Sequence, residues 1–239
     1  MTSAEKIGAF FDLDGTLLPA PSLEWRFIGW LLARDEISGA NLARWLGQCA
    51  RNIFRDRTAA LEGNKLYLAG LPTSLVKEWA RSLEMSPPVF CTDGIARLVW
   101  HDAQGHRVIL VSGTLAPLAL EIVRHLPCPA DICATELDAI DGIWTGWLAG
   151  EHMSGWAKAR AAIAQAAHHH LDLSRSFDYG NDASDIPLLE LAGQRLAVNP
   201  TTDLLRAARQ RGWPISRWTS LQAAGLHPAT VMLTPNGIQ

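Results

Sequence analysis

Apolar residues run without interruption through Ala9, Phe10 and Phe11, with Ile7 just before them, and stop at Asp12. A run this short, with no polar alternation, predicts a strand buried on both faces of a parallel sheet. Val108 to Val111, Phe177 to Tyr179 and Leu196 to Val198 are further short runs of this kind. Between them lie segments with helical spacing, such as Leu115, Leu118, Ile122 and Leu126. Strands alternating with helices predict an α/β fold, a doubly wound, Rossmann-like parallel sheet.

From about Ser22 to Phe90 the strand texture disappears. Leu23, Phe27 and Leu31, then Leu42, Trp45, Leu46 and Cys49, then Leu75 and Trp79 follow helical periodicity alone. The expected organisation is an α/β core of residues 1–20 and 91–239 carrying an inserted helical cap of residues 21–90. The Pro87-Pro88 pair closes the insertion before the core resumes near Thr92. Ile132 to Leu148, with Asp141-Gly142 as a turn signal, predict a hairpin or a strand with an extended loop. His168 to His170 point in three directions if helical, so they cannot share one metal and read as a solvated helix end.

Composition narrows the function. The 239 residues suit one large domain or a domain with an insertion, and 48% apolar against 19% charged residues excludes disorder and coiled coil. A formal charge of -3 gives no field for holding a polyanion, so nucleic acid is not an expected partner. Cys49, Cys91, Cys128 and Cys133 form no CxxC pair and read as reduced thiols of a cytoplasmic protein. No signal peptide is apparent. Trp218 to Gln239 lacks charged residues but holds Pro228 and Pro235, so neither a bilayer-spanning helix nor a stable membrane anchor is expected.

The chemistry starts where the first strand ends. Asp12 and Asp14, in Asp12-Leu13-Asp14-Gly15-Thr16, set two carboxylates one residue apart at the edge where open α/β sheets bind ligands. Such neighbours repel, and a divalent cation or a shared proton compensates; a solvated Asp-Gly turn is the simpler alternative. Further on, Val111-Ser112-Gly113-Thr114 ends a strand in a hydroxyl and a glycine before a helix. That arrangement makes an oxyanion cradle, or merely caps the helix. Lys158 follows a glycine-bearing loop, in Gly155-Trp156-Ala157-Lys158, and Tyr179-Gly180-Asn181-Asp182-Ala183-Ser184-Asp185-Ile186-Pro187 places acids between a strand end and a helix.

In this order the four segments resemble the haloacid dehalogenase-like hydrolases, most closely the phosphoserine phosphatase-like branch (subfamily IB), whose helical C1-type cap follows the first motif. The resemblance spans roughly residues 6 to 218. It implies a phosphatase acting on a phosphate monoester of a small metabolite, with Asp12 taking the phosphoryl group and Asp14 protonating the leaving oxygen and then activating water. Ser112 and Gly113 would bind phosphate, and Lys158 would neutralise the phosphoryl oxygens and the nucleophile. Mg²⁺ would be held by Asp12, the backbone carbonyl of Asp14 and Asn181, with Asp185 on its waters and Asp182 a further candidate. One position departs from the pattern: Asn181 stands where the family carries an aspartate, and its amide oxygen ligates without charge.

Specificity is expected from the cap. True phosphoserine phosphatases clamp the amino and carboxylate groups with an early acid and a cap arginine. Here Glu24 comes a few residues late and Asn64 falls near the arginine position, which disfavours phosphoserine. Trp25, Trp30, Trp45 and Trp79, interspersed with Arg26, Arg34, Arg44, Arg51, Arg55 and Arg57, read as core or, alternatively, as a surface for a lipid or other amphiphilic phosphate. Phosphoserine hydrolysis, a non-catalytic phospholigand-binding role, and dehalogenase or phosphomutase chemistry remain as alternatives. A monomer or homodimer is expected.

Overall fold

The computed structural model describes residues 6–52, 63–85 and 89–220. Arg55, Arg57, the Pro87-Pro88 pair and everything after Ser220 lie outside them. After β1 (Gly8–Phe11) come α1 (Leu23–Leu32), α2 (Gly39–Asn52), a 3₁₀ turn at Leu66–Leu68, and α3 (Leu75–Met85). The chain continues through α4 (Thr92–Ala103), β2 (Arg107–Leu115), α5 (Ala116–Val123), β3 (Asp131–Thr135), β4 (Leu137–Ile140), β5 (Ile143–Leu148) and α6 (Trp156–His169). It ends with β6 (Phe177–Gly180), a 3₁₀ turn at Ala183–Asp185, α7 (Ile186–Leu191), β7 (Gln194–Val198), α8 (Thr202–Arg211) and β8 (Ile215–Ser216).

Six strands form one sheet in the order β3-β2-β1-β6-β7-β8, with every neighbouring pair parallel. Both faces are covered, as the unalternating apolar runs require. Ala9 and Phe11 of β1, with Val108 and Leu110 of β2, enter the cluster that also holds Leu98 of α4 and Leu118 and Ile122 of α5. Phe10, Ile109 and Val111 point the other way, onto Ala162 and Ala166 of α6 and Leu188 of α7. Phe10 and Phe11 are fully buried, each contributing roughly 1.5–3 kcal/mol. Since β1 lies between β2 and β6, the chain turns to opposite sides at its carboxyl end, opening the crevice where such sheets take ligands.

The segment from Ile132 to Leu148 resolves into β3, which joins the main sheet, and an antiparallel β4–β5 hairpin. Its turn residues, Asp141 and Gly142, both have positive φ, +52° and +76°, as a tight hairpin demands. The hairpin holds the helical segment between β1 and β2 through Gly70 N donating to Trp144 O (2.8 Å), Trp144 N to Leu71 O (3.0 Å) and Thr73 N to Gly142 O (2.8 Å). Within the insertion, Leu23, Phe27 and Leu31 are buried as their spacing predicts, and Phe27 packs against Trp30, Trp79 and Trp144. α2 departs from its pattern. Leu42 and Leu46 are exposed, and the buried residue is Asn41, whose amide donates to Ala69 O at 2.5 Å. That helix faces the 3₁₀ turn through this polar contact and through Trp45, which meets Tyr67 edge-to-face at 5.7 Å.

The His168 to His170 triplet does end a helix, with His170 in the left-handed conformation at φ +57°. Among the described residues Cys91, Cys128 and Cys133 are free thiols, and no helix is long and apolar enough to cross a membrane.

A different histidine, His101 on α4, is fully buried, with Nε2 2.9 Å from Tyr179 Oη and Nδ1 2.8 Å from His106 Nδ1. Burial, with help from His106 and Arg97, pushes its pKa down to about 3. The unfolded chain therefore takes up a proton between the ordinary histidine value of 6.5 and about 3 that the native state refuses. This contribution to stability is present above pH 6.5 and is lost as pH falls through that window. Melting curves from pH 7.5 to 4.5 should show the unfolding temperature of the native chain falling more steeply than that of His101→Gln; parallel slopes would reject this source of acid sensitivity.

Candidate active site

Asp12 lies one residue beyond the end of β1, and its N–H still donates to Tyr179 O across the sheet at 2.9 Å. This places the carboxyl at the strand edge, where it is 7% exposed. Lys158 approaches from the first turn of α6, after Gly155 has turned the chain with φ +56°. Its Nζ donates to Asp12 Oδ1 at 2.7 Å and to Asp185 Oδ1 at 2.5 Å, all three side chains being buried. The other Asp185 oxygen accepts the Asn181 and Asp182 amides at 2.8 and 2.9 Å, folding the loop after β6 back over the strand end. Gly180 permits that fold, because a Cβ there would stand 2.5 Å from Asp185 Cβ.

Asp14 is held at both oxygens: Oδ1 accepts the Leu23 amide at 2.8 Å and Oδ2 the Thr114 hydroxyl. The first contact ties the start of α1 to the carboxyl edge of the sheet. Ser112 is buried on β2, with its Oγ 3.2 Å from Thr114 Oγ1 and accepting the Thr114 amide at 3.3 Å. Gly113 lies beside it, and its carbonyl accepts the Thr135 hydroxyl at 2.8 Å. Asn181 packs over Gly15, which has φ +89° and where a Cβ would meet Asn181 Nδ2 at 2.0 Å. Asp182 instead caps the 3₁₀ turn that follows it, accepting the Ser184 amide at 3.0 Å and the Thr201 hydroxyl at 3.2 Å.

Asp12, Asp14, Ser112, Gly113, Lys158, Asn181 and Asp182 line one cleft of about 360 Å³, with Asp185 behind Lys158. The expected residues are thus brought together. Their charges do not balance. Burial, with Asp185 and Asp14 nearby, pushes Asp12 up to about 7 against the pull of Lys158. Burial also raises Asp14, although the Thr114 and Leu23 bonds oppose it. Burial works against the Lys158 charge too, but the two carboxylates outweigh it and hold the ammonium above its ordinary value. For Asp182 the balance runs the other way, its bonds to Ser184 and Thr201 overcoming burial to lower it.

Sequence reasoning passed over several residues here. Asp178, on β6, is buried with Oδ2 lacking a hydrogen-bond partner, and burial together with Asp185 holds its carboxyl well above the usual range. Alternation with Phe177 and Tyr179 was the only hint that it faces α6. Glu24 lines the cleft after all, and the cation beside it is Lys65, one residue past Asn64. Asn64 itself is occupied within the insertion, donating to Trp45 O at 3.1 Å. Of the insertion tryptophans, Trp25 and Trp45 reach the cleft; Trp30 stacks on Phe27 beneath Arg34, and Trp79 is core.

Comparison with known proteins identifies the family. The family model described as "haloacid dehalogenase-like hydrolase" matches residues 9–190. The chain is 37% identical to "Phosphoserine phosphatase SerB1" of Mycobacterium tuberculosis, covering 87% of this chain and 69% of that one. It is 30% identical to the "Inhibition of morphological differentiation protein" of Streptomyces azureus, over 89% and 79% of the two chains. Among solved structures, a Bordetella pertussis protein of unknown function superposes with a TM-score of 0.71 at 25% identity, over 89% of this chain and 98% of that one. A probable phosphoserine phosphatase from Vibrio cholerae shares the fold at a TM-score of 0.62 and 17% identity, over 91% and 63%. With the family model matching residues 9–190 and a relative 37% identical over 87% of it, the chain belongs to the haloacid dehalogenase-like hydrolases, in their phosphoserine phosphatase-like branch.

Proposed function

We propose that the protein hydrolyses a phosphate monoester of a small metabolite through an aspartyl-phosphate intermediate, with Asp12 as nucleophile and Asp14 as general acid and then base. The observation that carries this reading is the Lys158 ammonium lying between Asp12 and Asp185, in a cleft that also holds Asp14 and Ser112. A carboxylate is a weak nucleophile and attacks phosphorus only when positioned in line with its charge offset. Lys158 supplies both, fixing Oδ1 while Oδ2 carries just a long 3.4 Å bond from the Thr16 hydroxyl.

As an Asp12 oxygen bonds to phosphorus, the bond to the leaving oxygen breaks, and protonated Asp14 gives that oxygen its proton. Burial raises the Asp14 pKa and so favours the protonated form that this step uses. Water then attacks the acyl phosphate, Asp14 accepts the water's proton, and inorganic phosphate departs with Asp12 restored. Ser112 and the Gly113 backbone face the same cleft and would hold the non-reacting phosphoryl oxygens.

The residues fit Mg²⁺. Lys158 offsets one of the Asp12 and Asp185 charges, leaving an excess of acid that a divalent cation would balance. The donor set of the Asp12 carboxylate, the Asp14 carbonyl and the Asn181 amide oxygen is all hard oxygen. Asp185 would bind the ion's waters, while Asp182, as an N-cap, is less well placed. The ion would stabilise negative charge developing on the phosphoryl oxygens. Asn181→Asp is expected to tighten Mg²⁺ binding about tenfold by calorimetric titration, since one formal charge is added at the same shape. An unchanged affinity would remove residue 181 from the ligand set.

Residues 21–90 act in this reading as a cap over a core of residues 1–20 and 91–239, and the free thiols of Cys91, Cys128 and Cys133 suit the cytoplasm. Phosphate release from a panel of phosphorylated metabolites, with and without Mg²⁺, tests the proposal; no metal-dependent release from any of them would end it. The name of the mycobacterial relative makes L-phosphoserine the second reading.

A further inference from the structure

The cleft wall facing the catalytic acids comes from the insertion: Ser22, Glu24, Trp25, Ile28, Trp45 and Lys65. Glu24 is gripped from behind. Lys65 Nζ lies 2.7 and 2.8 Å from its two oxygens, and the Tyr67 hydroxyl donates to Oε1 at 2.7 Å. The Lys65 side chain is 3% exposed, whereas that of Glu24 keeps 20%. The pair is neutral, with its cation hidden and a carboxylate oxygen left to accept hydrogen bonds from the cleft. Beside it, Trp45 is fixed by its indole N–H donating to Asn64 O at 3.1 Å, and Trp25 meets it edge-to-face at 6.5 Å. Trp25 is 58% exposed.

We propose that the group esterified to the phosphate is an uncharged polyol or sugar, whose hydroxyls donate to Glu24 and whose C–H face lies on Trp25 and Trp45. This rests on the hydrolase reading above and narrows its substrate. An amino acid leaving group would bring a carboxylate needing a cation. Among the described residues, the two lysines of the cleft are already engaged, Lys158 by Asp12 and Asp185 and Lys65 by Glu24. The nearby Arg26 guanidinium is turned onto the carbonyls of Pro19 and Pro21. Drawing Lys65 away would leave Glu24 and Tyr67 facing each other without it, the costly way to break a buried pair. A quaternary ammonium seated on the indoles would gain no net negative charge from the Glu24–Lys65 pair beside them, which is neutral. Hydroxyls need neither charge, and a site built to pair them discriminates strongly against analogues that lack them.

The test measures phosphate release by the full chain with Mg²⁺ from glycerol 3-phosphate, hexose 6-phosphates, L-phosphoserine, phosphocholine and acetyl phosphate. Acetyl phosphate has no hydroxyl or cationic group and reads the core chemistry. The best polyol phosphate should exceed L-phosphoserine and phosphocholine in kcat/KM by about tenfold or more. In Trp25→Ala, and separately in Glu24→Gln, the ratio of polyol to acetyl phosphate kcat/KM should fall about tenfold. The exposed Trp25 keeps the test usable should Glu24→Gln fail to fold. Preference for L-phosphoserine or phosphocholine, or an unchanged ratio in Trp25→Ala, would overturn the inference while acetyl phosphate turnover left the hydrolase standing. Loss of acetyl phosphate turnover in the native chain would take down both.

Discussion

Asp12→Asn is expected to lower phosphate release by at least about 10⁴-fold, because the substitution keeps the shape of the side chain but removes the attacking oxygen's charge and basicity. The fold should persist. Asp12 is one of several buried acids served by a single buried ammonium, and burial already works against its ionised form. A neutral amide there relieves repulsion with Asp185 and Asp14, so the unfolding temperature without Mg²⁺ should equal or exceed that of the native chain. Acid quench of the native enzyme on a ³²P-labelled substrate should retain label on the protein, and the variant should retain none. Turnover within tenfold of native would eliminate Asp12 as nucleophile.

Much of this site could be read in advance because its chemistry is local along the chain. Asp12 and Asp14 sit one residue apart, and Asn181 and Asp185 one helical turn apart, each directly after a buried strand. The parallel sheet then brings those strand ends to one edge, so recognising the strands was enough to juxtapose the motifs. The Asp141-Gly142 turn was legible for a similar reason: its backbone demands residues that tolerate positive φ. What the pattern hid depends on tertiary contact. Glu24 and Lys65 are 41 positions apart, and neither residue type announces a buried ion pair. The bond from Leu23 N to Asp14 joins a helix start to a strand end without any motif. β8 has two residues, too few for periodicity, and on α2 the apolar spacing holds at Trp45 but not at the exposed Leu42 and Leu46, where the buried neighbour is the polar Asn41.

Lys158→Met should also abolish useful turnover, by about 10³-fold or more, since it removes the cation beside the proposed nucleophile and the phosphoryl group it would attack. Its effect on stability has the opposite sign from that of Asp12→Asn. Removing one partner of a buried ion pair costs about 3–5 kcal/mol when the remaining charge is left uncompensated. Here two carboxylates, on Asp12 and Asp185, lose the same partner. The variant limits its loss by holding a proton between them in the native state, which the unfolded chain releases at neutral pH. Native protonation above the unfolded carboxylate value makes stability fall as pH rises, so the deficit against the native chain should be larger at pH 8 than at pH 5. Urea unfolding at the two pH values measures it, and an equal deficit at both would mean that Lys158 does not compensate these acids. Lys158→Arg should not restore activity, because a planar fork cannot replace a compact ammonium bridging oxygens at 2.7 and 2.5 Å. An ion pair of purely structural role would lose stability whichever partner is changed. One cation shared among too many acids predicts that losing the acid is tolerated and losing the cation is not, and that asymmetry marks a site shaped to receive further positive charge together with a phosphate.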